Sequence, residues 1–260
     1  MAIHFDDRQR ATADLYGNIA NTAAILGKQN IHTAMLSEAA EDPVGDQIVD
    51  TLRDAAVDTS GIDRFTEGAT PIVVYMGDNA RPIRYENYGD ECFDIIWPVI
   101  TDKDIVIFGG YYTLDERMRA RMTPLLDNAA ERNATMIYLP GFLPSQAPRI
   151  TRVMPAILDN LERADIVVTE ATDLQTIFAD ADPGNCYRRH IRYSAPIAVN
   201  VTDRRQIDLF APGDTHLSQT ADTDIAHVTA HIAQAIIRHN ITRDDLAGAD
   251  TDLARRLLSE

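Results

Sequence analysis

Cysteine, lysine and tryptophan are scarce in this chain. Its 260 residues contain two cysteines (Cys92 and Cys186), two lysines (Lys28 and Lys103) and one tryptophan. Two cysteines exclude a disulfide framework. No apolar run approaches the roughly 20 residues that a membrane-spanning helix needs. The opening MAIHFDDRQR lacks the charged-then-apolar layout of a signal peptide. The expected compartment is therefore the cytoplasm, with no membrane partner. Positive charge is also short: 24 Lys and Arg stand against 40 Asp and Glu, a net charge of −16. That balance argues against nucleic acid as a partner, because phosphate contacts need clustered cations. Nearly all the cations are arginines. The choice of arginine reads either as coding bias or as a reserve of planar forks for phosphate or carboxylate.

What is present is an ordinary globular composition, 45% hydrophobic and 25% charged. The chain is long enough for one domain with a small appendage. Residues 1–16 are polar, with little periodicity. Asn18 to Leu26 reads as a helix stopped by Gly27, and Ile31 to Leu36 as a strand. Val44 to Ala56 is an amphipathic helix, with Val44, Ile48, Leu52 and Ala55 on one face. Pro71 to Met76 is a strand, Gly77-Asp78-Asn79 a turn, and Pro82 to Tyr85 the returning hairpin partner.

Beyond the hairpin, strands are expected at Asp104–Phe108, Thr135–Leu139, Asp165–Val168, Pro196–Val201 and Gln206–Ala211. Helices are expected at Leu114–Arg132 and Ile150–Arg163, from Asp173 to Phe178, and at Ile225–His239 and Asp244–Leu258. A Pro-rich loop runs from Pro140 to Pro148. Strands alternating with long helices imply a doubly wound α/β structure with a mostly parallel sheet. Ligands of such sheets sit beyond the carboxyl ends of the strands, here around Ser37, Gly110, Gly141, Glu170 and Asp203.

Three phosphate and nucleophile signatures are absent: no GxxxxGK[ST], no GxGxxG and no GxSxG occurs. His227 and His231 share a helix face at zincin spacing, with Asp224 three residues earlier, but Val228 stands where the zincin base would be. They read as helix histidines or as metal ligands. Gly17 and Asn21, in Tyr16-Gly17-Asn18-Ile19-Ala20-Asn21, read as a capped helix start or as a ligand-facing turn.

YGNIANTAAILG resembles the GGxxxNxAxxLxxLG signature of the PfkB, or ribokinase-like, carbohydrate kinases. The block after it is similar in order too, with Asp42, Gly45 and Val57-Asp58-Thr59-Ser60-Gly61-Ile62 matching, and ADIVVTEATDLQTIF resembles the family's NxxE block. The resemblance implies a ribokinase-like three-layer α/β/α sandwich over one domain of 1–260, with a mostly parallel central sheet and a small β lid at 71–88. It implies phosphoryl transfer from ATP, with Mg²⁺, to a hydroxyl of a sugar or nucleoside. It implies Gly17, Asn21 and Asp42 as substrate-binding residues and Asp224 as catalytic base. Thr220, Ala221 and Thr223 would line the anion hole, and Glu170 and Asp173 would support the metal. It also implies a homodimer through the lid, for which the PIVVYM strand is an edge candidate.

The chain departs from the family pattern at several positions. Tyr16 replaces the first glycine, and NxxE reads as Glu170-Ala171-Thr172-Asp173. TGAGD reads as Thr220-Ala221-Asp222-Thr223-Asp224, without either glycine. Sixteen residues before the signature are too few for the family's first strand, with its substrate-binding Asp, as well as the lid strands. Ala221 and Thr223 adopt positive φ less freely than glycine, and Asp222 brings negative charge toward a phosphate. Asp224 therefore also reads as a helix cap, and Glu170 with Asp173 as a capping pair. Three functions remain open: a kinase, fast or slow; a sugar- or nucleoside-binding protein without transfer; and a structural partner of an active paralogue.

Overall fold

The computed structural model describes residues 1–6, 10–77, 83–88, 95–142, 149–202 and 206–259. Most of the Gly77–Asn79 turn, Cys92, most of the Pro140–Pro148 loop and Asp203 lie outside the described residues. The chain divides into two compact units, Met1–Pro98 and Val99–Glu260.

The first unit begins with β1 (Ala2–Phe5), β2 (Ala11–Asp14), α1 (Asn18–Lys28), β3 (Thr33–Ala34) and β4 (Ser37–Ala40). It continues with α2 (Pro43–Asp54), β5 (Val57–Asp58), β6 (Ile62–Phe65), β7 (Gly68–Met76) and β8 (Ile83–Tyr88). β2, β1, β7 and β8 form a four-stranded sheet in that order, with β1 and β7 parallel. The 71–88 hairpin thus forms, but as half of a larger sheet. PIVVYM is not an edge: β7 is paired on both sides, because residues that show no periodicity supply β1, and the edges are β2 and β8.

The strand expected at 31–36 is reduced to β3, which pairs with β5, and a second short strand, β4, follows it and pairs with β6, both parallel. Ala23 and Ala24 of α1 share a core with Val49, Leu52, Ala55, Val57 and Ile62. Gly27 does not stop α1. It lies inside the helix, where an added Cβ would stand 2.2 Å from the Ala55 carbonyl oxygen. The glycine is a packing requirement, set by a neighbour that sequence periodicity does not reveal.

Asp42 caps α2 and ties three elements together. Gly45 N donates to its Oδ1 at 2.7 Å, Thr70 Oγ1 donates to Oδ1 at 2.8 Å, and Thr70 N donates to Oδ2 at 2.8 Å. The Thr70 hydroxyl in turn accepts from Ala40 N at 3.0 Å. Burial works to raise the Asp42 carboxyl pKa, but the bonds from Thr70 and Gly45 outweigh it and hold the pKa below the ordinary value. A depressed carboxylate stabilises the fold above its unfolded pKa and loses that contribution as pH falls through the folded one. Asp42→Ala is expected to cost about 2–4 kcal/mol at neutral pH, a lost cap plus charge-assisted bonds. The difference should shrink in denaturant melts below about pH 4; an undiminished gap there contradicts the assignment.

The second unit opens with β9 (Ile105–Gly109), a 3-10 turn (Tyr111–Thr113), α3 (Glu116–Glu131), β10 (Thr135–Leu139) and α4 (Ile150–Arg163). β11 (Ile166–Glu170), α5 (Ala171–Phe178), α6 (Pro183–Cys186) and a π-helical stretch (Tyr187–Ile191) follow. β12 (Ile197–Val201), β13 (Gln206–Ala211), β14 (Thr215–Thr220), α7 (Ile225–His239), α8 (Arg243–Ala247) and α9 (Thr251–Leu258) complete it.

Its six-stranded sheet has the order β14-β13-β12-β11-β10-β9, with β9 to β12 parallel and the last two antiparallel. β10 and β12 are buried along their whole length, as expected of parallel strands covered on both faces. The single helix expected at 244–258 is two helices, because Gly248 ends α8 and the Asp250 side chain caps α9 through the N–H groups of Asp252 and Leu253.

Several arginines of this unit hold its own carboxylates. Arg243 Nε donates to Asp165 at 2.8 Å, Arg163 Nε to Asp159 at 2.9 Å, and Arg119 pairs with Asp159. No helix among the described residues is long and apolar enough to cross a membrane.

Candidate functional site

Three elements of the second unit converge on a cavity of about 450 Å³. Glu170 closes β11, Val201 and Thr202 close β12, Asp222 and Thr223 come from the loop after β14, and Asp224, Ile225 and His227 open α7. This is the place at which parallel α/β sheets bind ligands, where strand ends and a helix N-terminus direct backbone dipoles outward.

Asp224 holds the start of α7. Its Oδ1 accepts the His227 N–H at 2.9 Å and lies 2.9 Å from His227 Nδ1. Burial works to raise the Asp224 carboxyl pKa, while the His227 N–H, the imidazole and its charge outweigh that and lower it. The N-cap reading of Asp224 is therefore correct locally, and the carboxylate also stands in the cavity wall. Among the described lining residues Glu170, Asp222 and Asp224 are acidic, with His227 beside them.

The loop before α7, residues 221–224, carries no residue with positive φ. Thr223 N donates back to Ala221 O at 3.0 Å, so this N–H is turned away from service to an anion. Thr220 is the last residue of β14, exposed and paired with Gln206. Thr223 lines the cavity, while Thr220 and Ala221 do not.

Glu170 and Asp173 form a capping box at the start of α5, in which Asp173 Oδ2 accepts the Glu170 N–H at 2.9 Å. Asp173 is 6% exposed. Burial pushes its carboxyl up to about 7, with the Glu170 charge adding to the rise. The folded state thus keeps a proton that the unfolded chain, with a pKa near 4, has lost. Stability therefore falls as pH rises from about 4 to about 7 and is flat above. Asp173→Asn, which cannot ionise, should come closest to the wild-type melting temperature at about pH 4 and exceed it most at pH 8. Equal gaps at both pH values would contradict the assignment.

These residues can be tested against the needs of a cation. Mg²⁺ beside phosphates keeps most of its waters and needs one or two carboxylates. Glu170, on the cavity wall, fits that demand. Asp173 does not, because its carboxyl is buried and committed to the helix start. Among the described residues no group of three or more His, Cys, Asp or Glu side chains converges for a metal ion.

The first unit holds the other candidates. Gly17 precedes α1 at φ 106, a conformation that only glycine adopts without strain, and an added Cβ would meet nothing within 4 Å. Asn21 donates its own N–H to Gly17 O at 3.0 Å and its Nδ2 to Leu15 O at 3.3 Å. Asp42 places its carboxylate on Gly45 and Thr70. What the sequence reading missed is the partnership of His227 with Asp224. The signal was their three-residue spacing across a helix start, overshadowed by the His227–His231 pair.

Residues 10–189 match the pfkB family carbohydrate kinase domain. The chain belongs to the pfkB carbohydrate kinase family. The matched span of this pfkB member ends before the Thr220–Asp224 loop, where its sequence departs furthest from the family pattern. No curated protein matches the chain. Solved structures do resemble it. Fructokinase from Vibrio cholerae O395, bound to fructose, ADP and calcium ion, superposes with a TM-score of 0.79 at 13% identity, covering 98% of this chain and 86% of that one. Aminoimidazole riboside kinase from Salmonella enterica, complexed with its riboside and an ATP analogue, gives 0.75 at 10% identity, covering 98% and 86%. Fructokinase from Halothermothrix orenii gives 0.74 at 15% identity, covering 99% and 93%. At these identities the likeness is one of fold: ribokinase-like, mixed α/β, with a mostly parallel sheet and helices on both sides.

Proposed function

We propose that this pfkB-family chain transfers the γ-phosphoryl group of ATP to a hydroxyl of a small sugar or nucleoside, and does so slowly. The observation that carries the reading is the cavity at the carboxyl ends of β11 and β12, with Asp224 at the helix start that faces it. Proton removal from the alcohol depends on Asp224. Glu170 would hold a divalent cation such as Mg²⁺, which would supply charge neutralisation for the phosphates. The neighbours bound to ADP or an ATP analogue support ATP as the donor, and their sugar and riboside ligands support the substrate class. The resemblance in sequence carries Gly17 and Asn21 forward as substrate-binding residues, so Asn21→Ala should raise KM more than it lowers kcat.

Slowness follows from the loop. A phosphoryl transition state needs preorganised donors, and loss of one donor costs about 100- to 1000-fold in rate. Here the Thr223 N–H is bonded to Ala221 O, and Asp222 adds negative charge to the cavity. The same observation favours a second reading, a binding protein that holds the sugar or nucleoside without transfer. Calorimetric titration of ATP·Mg²⁺, followed by a sugar and nucleoside panel with ADP detection, separates them. Substrate-dependent ADP establishes the kinase, and sugar binding without ATP binding establishes the binding protein.

We further propose a cytoplasmic homodimer built on the 68–88 strands. Met76, Ile83 and Tyr85 expose 58%, 48% and 56% of their surface there. β8 is an edge of its sheet, and edges invite pairing. Gel filtration should give twice the 28.8 kDa chain mass; a monomer mass contradicts it.

A further inference from the structure

We propose that His227 is a positioning residue for phosphotransfer: its ring holds Oδ1 of Asp224, so that Oδ2 of the same carboxylate is aimed at the substrate hydroxyl. The proposal rests on the phosphotransfer reading, in which Asp224 is the base, and deepens it by naming the residue that sets the direction of that base.

Asp224 is the residue before α7, on the cavity wall, and its side chain is 65% exposed. A carboxylate so placed turns about its own bonds unless something holds it. His227 holds it twice, on one oxygen. The backbone N–H donates to Oδ1 at 2.9 Å, and ring Nδ1 lies 2.9 Å from the same atom. An ionised carboxylate only accepts, so Nδ1 carries the proton of the neutral ring and donates it. The backbone bond alone is an ordinary helix cap, and it lets the group pivot about Oδ1. A second donor, reaching Oδ1 from the side chain, stops that pivot and sets where Oδ2 points. Neither bond from His227 reaches Oδ2. Direction matters because a base acts only within about 2.6–3.2 Å of the atom that carries the proton. A misplacement of about 1 Å costs about 100-fold in rate.

The platform beneath the pair is fixed. Ile225, Ala226 and Val228 are 2%, 4% and 4% exposed, so the first turn of α7 is anchored in the core. The His227 side chain is 58% exposed, so its replacement removes little packing. The backbone N–H survives any replacement, and the helix cap survives with it. Asparagine is the informative substitute, because its Nδ2 stands where Nδ1 stands in histidine, one bond beyond Cγ, and donates as Nδ1 does. Among the described residues the other titratable groups on the cavity wall are Glu170 at the end of β11 and Asp222 on the loop into α7, and His231 follows one turn further along the helix.

The test is the rate of ADP formation by wild type, His227→Ala and His227→Asn, with kcat and KM resolved, a pH profile of kcat/KM and a melting curve for each. His227→Ala should lower kcat about 10- to 100-fold, with both KM values and the melting temperature close to wild type. Its acid limb should move to higher pH, because Asp224 loses a donor that holds its carboxyl pKa down. His227→Asn should recover most of the rate and return the limb toward its wild-type position. Turnover by His227→Ala within about threefold of wild type, with the limb unmoved, overturns the inference and leaves the kinase reading intact. So does a loss in His227→Asn as large as that in His227→Ala, or a loss matched by a fall in melting temperature. No turnover by wild type at any pH overturns the kinase reading, and the positioning role falls with it.

Discussion

Asp224→Asn should reduce kcat/KM roughly 100- to 10,000-fold, the span typical of a general base. The substitution isolates chemistry from folding. Asparagine is as good an N-cap as aspartate, so its side-chain oxygen can keep the His227 N–H and α7 should start as before. What disappears is the negative charge beside the imidazole and at the cavity wall. Melting temperature and nucleotide affinity are therefore expected to stay close to wild type while turnover collapses. Should Asp224 serve the helix alone, the result reverses: Asp224→Asn turns over within threefold of wild type, and Asp224→Ala costs about 1 kcal/mol of stability.

Gly109→Ala should produce a large loss of stability for a single methyl addition. Gly109 ends β9 at φ 149, and a Cβ placed there would stand 1.7 Å from the Leu139 carbonyl oxygen of β10. That oxygen cannot retreat. It belongs to a residue only 1% exposed, at the last register pair of β9 and the buried strand β10, and it accepts the Gly110 N–H at 2.9 Å. Backbone strain of about 1–3 kcal/mol and a core clash of similar size add to about 2–6 kcal/mol. At roughly 2–4 °C per kcal/mol the melting temperature should fall by about 5–20 °C. Gly248→Ala is the control, because a Cβ there meets nothing within 4 Å, and it should leave the melting temperature within a degree or two. Equal behaviour of the two variants would contradict the close approach of β9 and β10.

The parts of this fold that could be read in the sequence are those whose signals are local. β9 to β12 are continuous apolar runs, and α7 announces itself with an acid before a periodic apolar stretch. Glu170 and Asp173 have the spacing of a capping pair, and they form one. The unread parts depend on residues far away in the chain. β1 is four residues long, and its partner β7 lies about seventy residues further on, so nothing in AIHF marks a strand before the pairing exists. Gly27 reads as a stop until Ala55 is seen against it. The site divides the same way. Asp224 was legible because a helix start is local. The withdrawal of the Thr223 N–H into Ala221 O depends on how the loop turns, and the letters Ala-Asp-Thr give only the loss of glycine.

Slow phosphotransfer is tested most directly by ADP formation in the wild-type chain, with ATP·Mg²⁺ and a panel of sugars and nucleosides, beside Asp224→Asn. The expected result is ADP that requires one class of alcohol, at a rate well below that of a loop with both glycines, and that vanishes in the variant. ATP that neither binds nor turns over, with a sugar or nucleoside still bound, would contradict it.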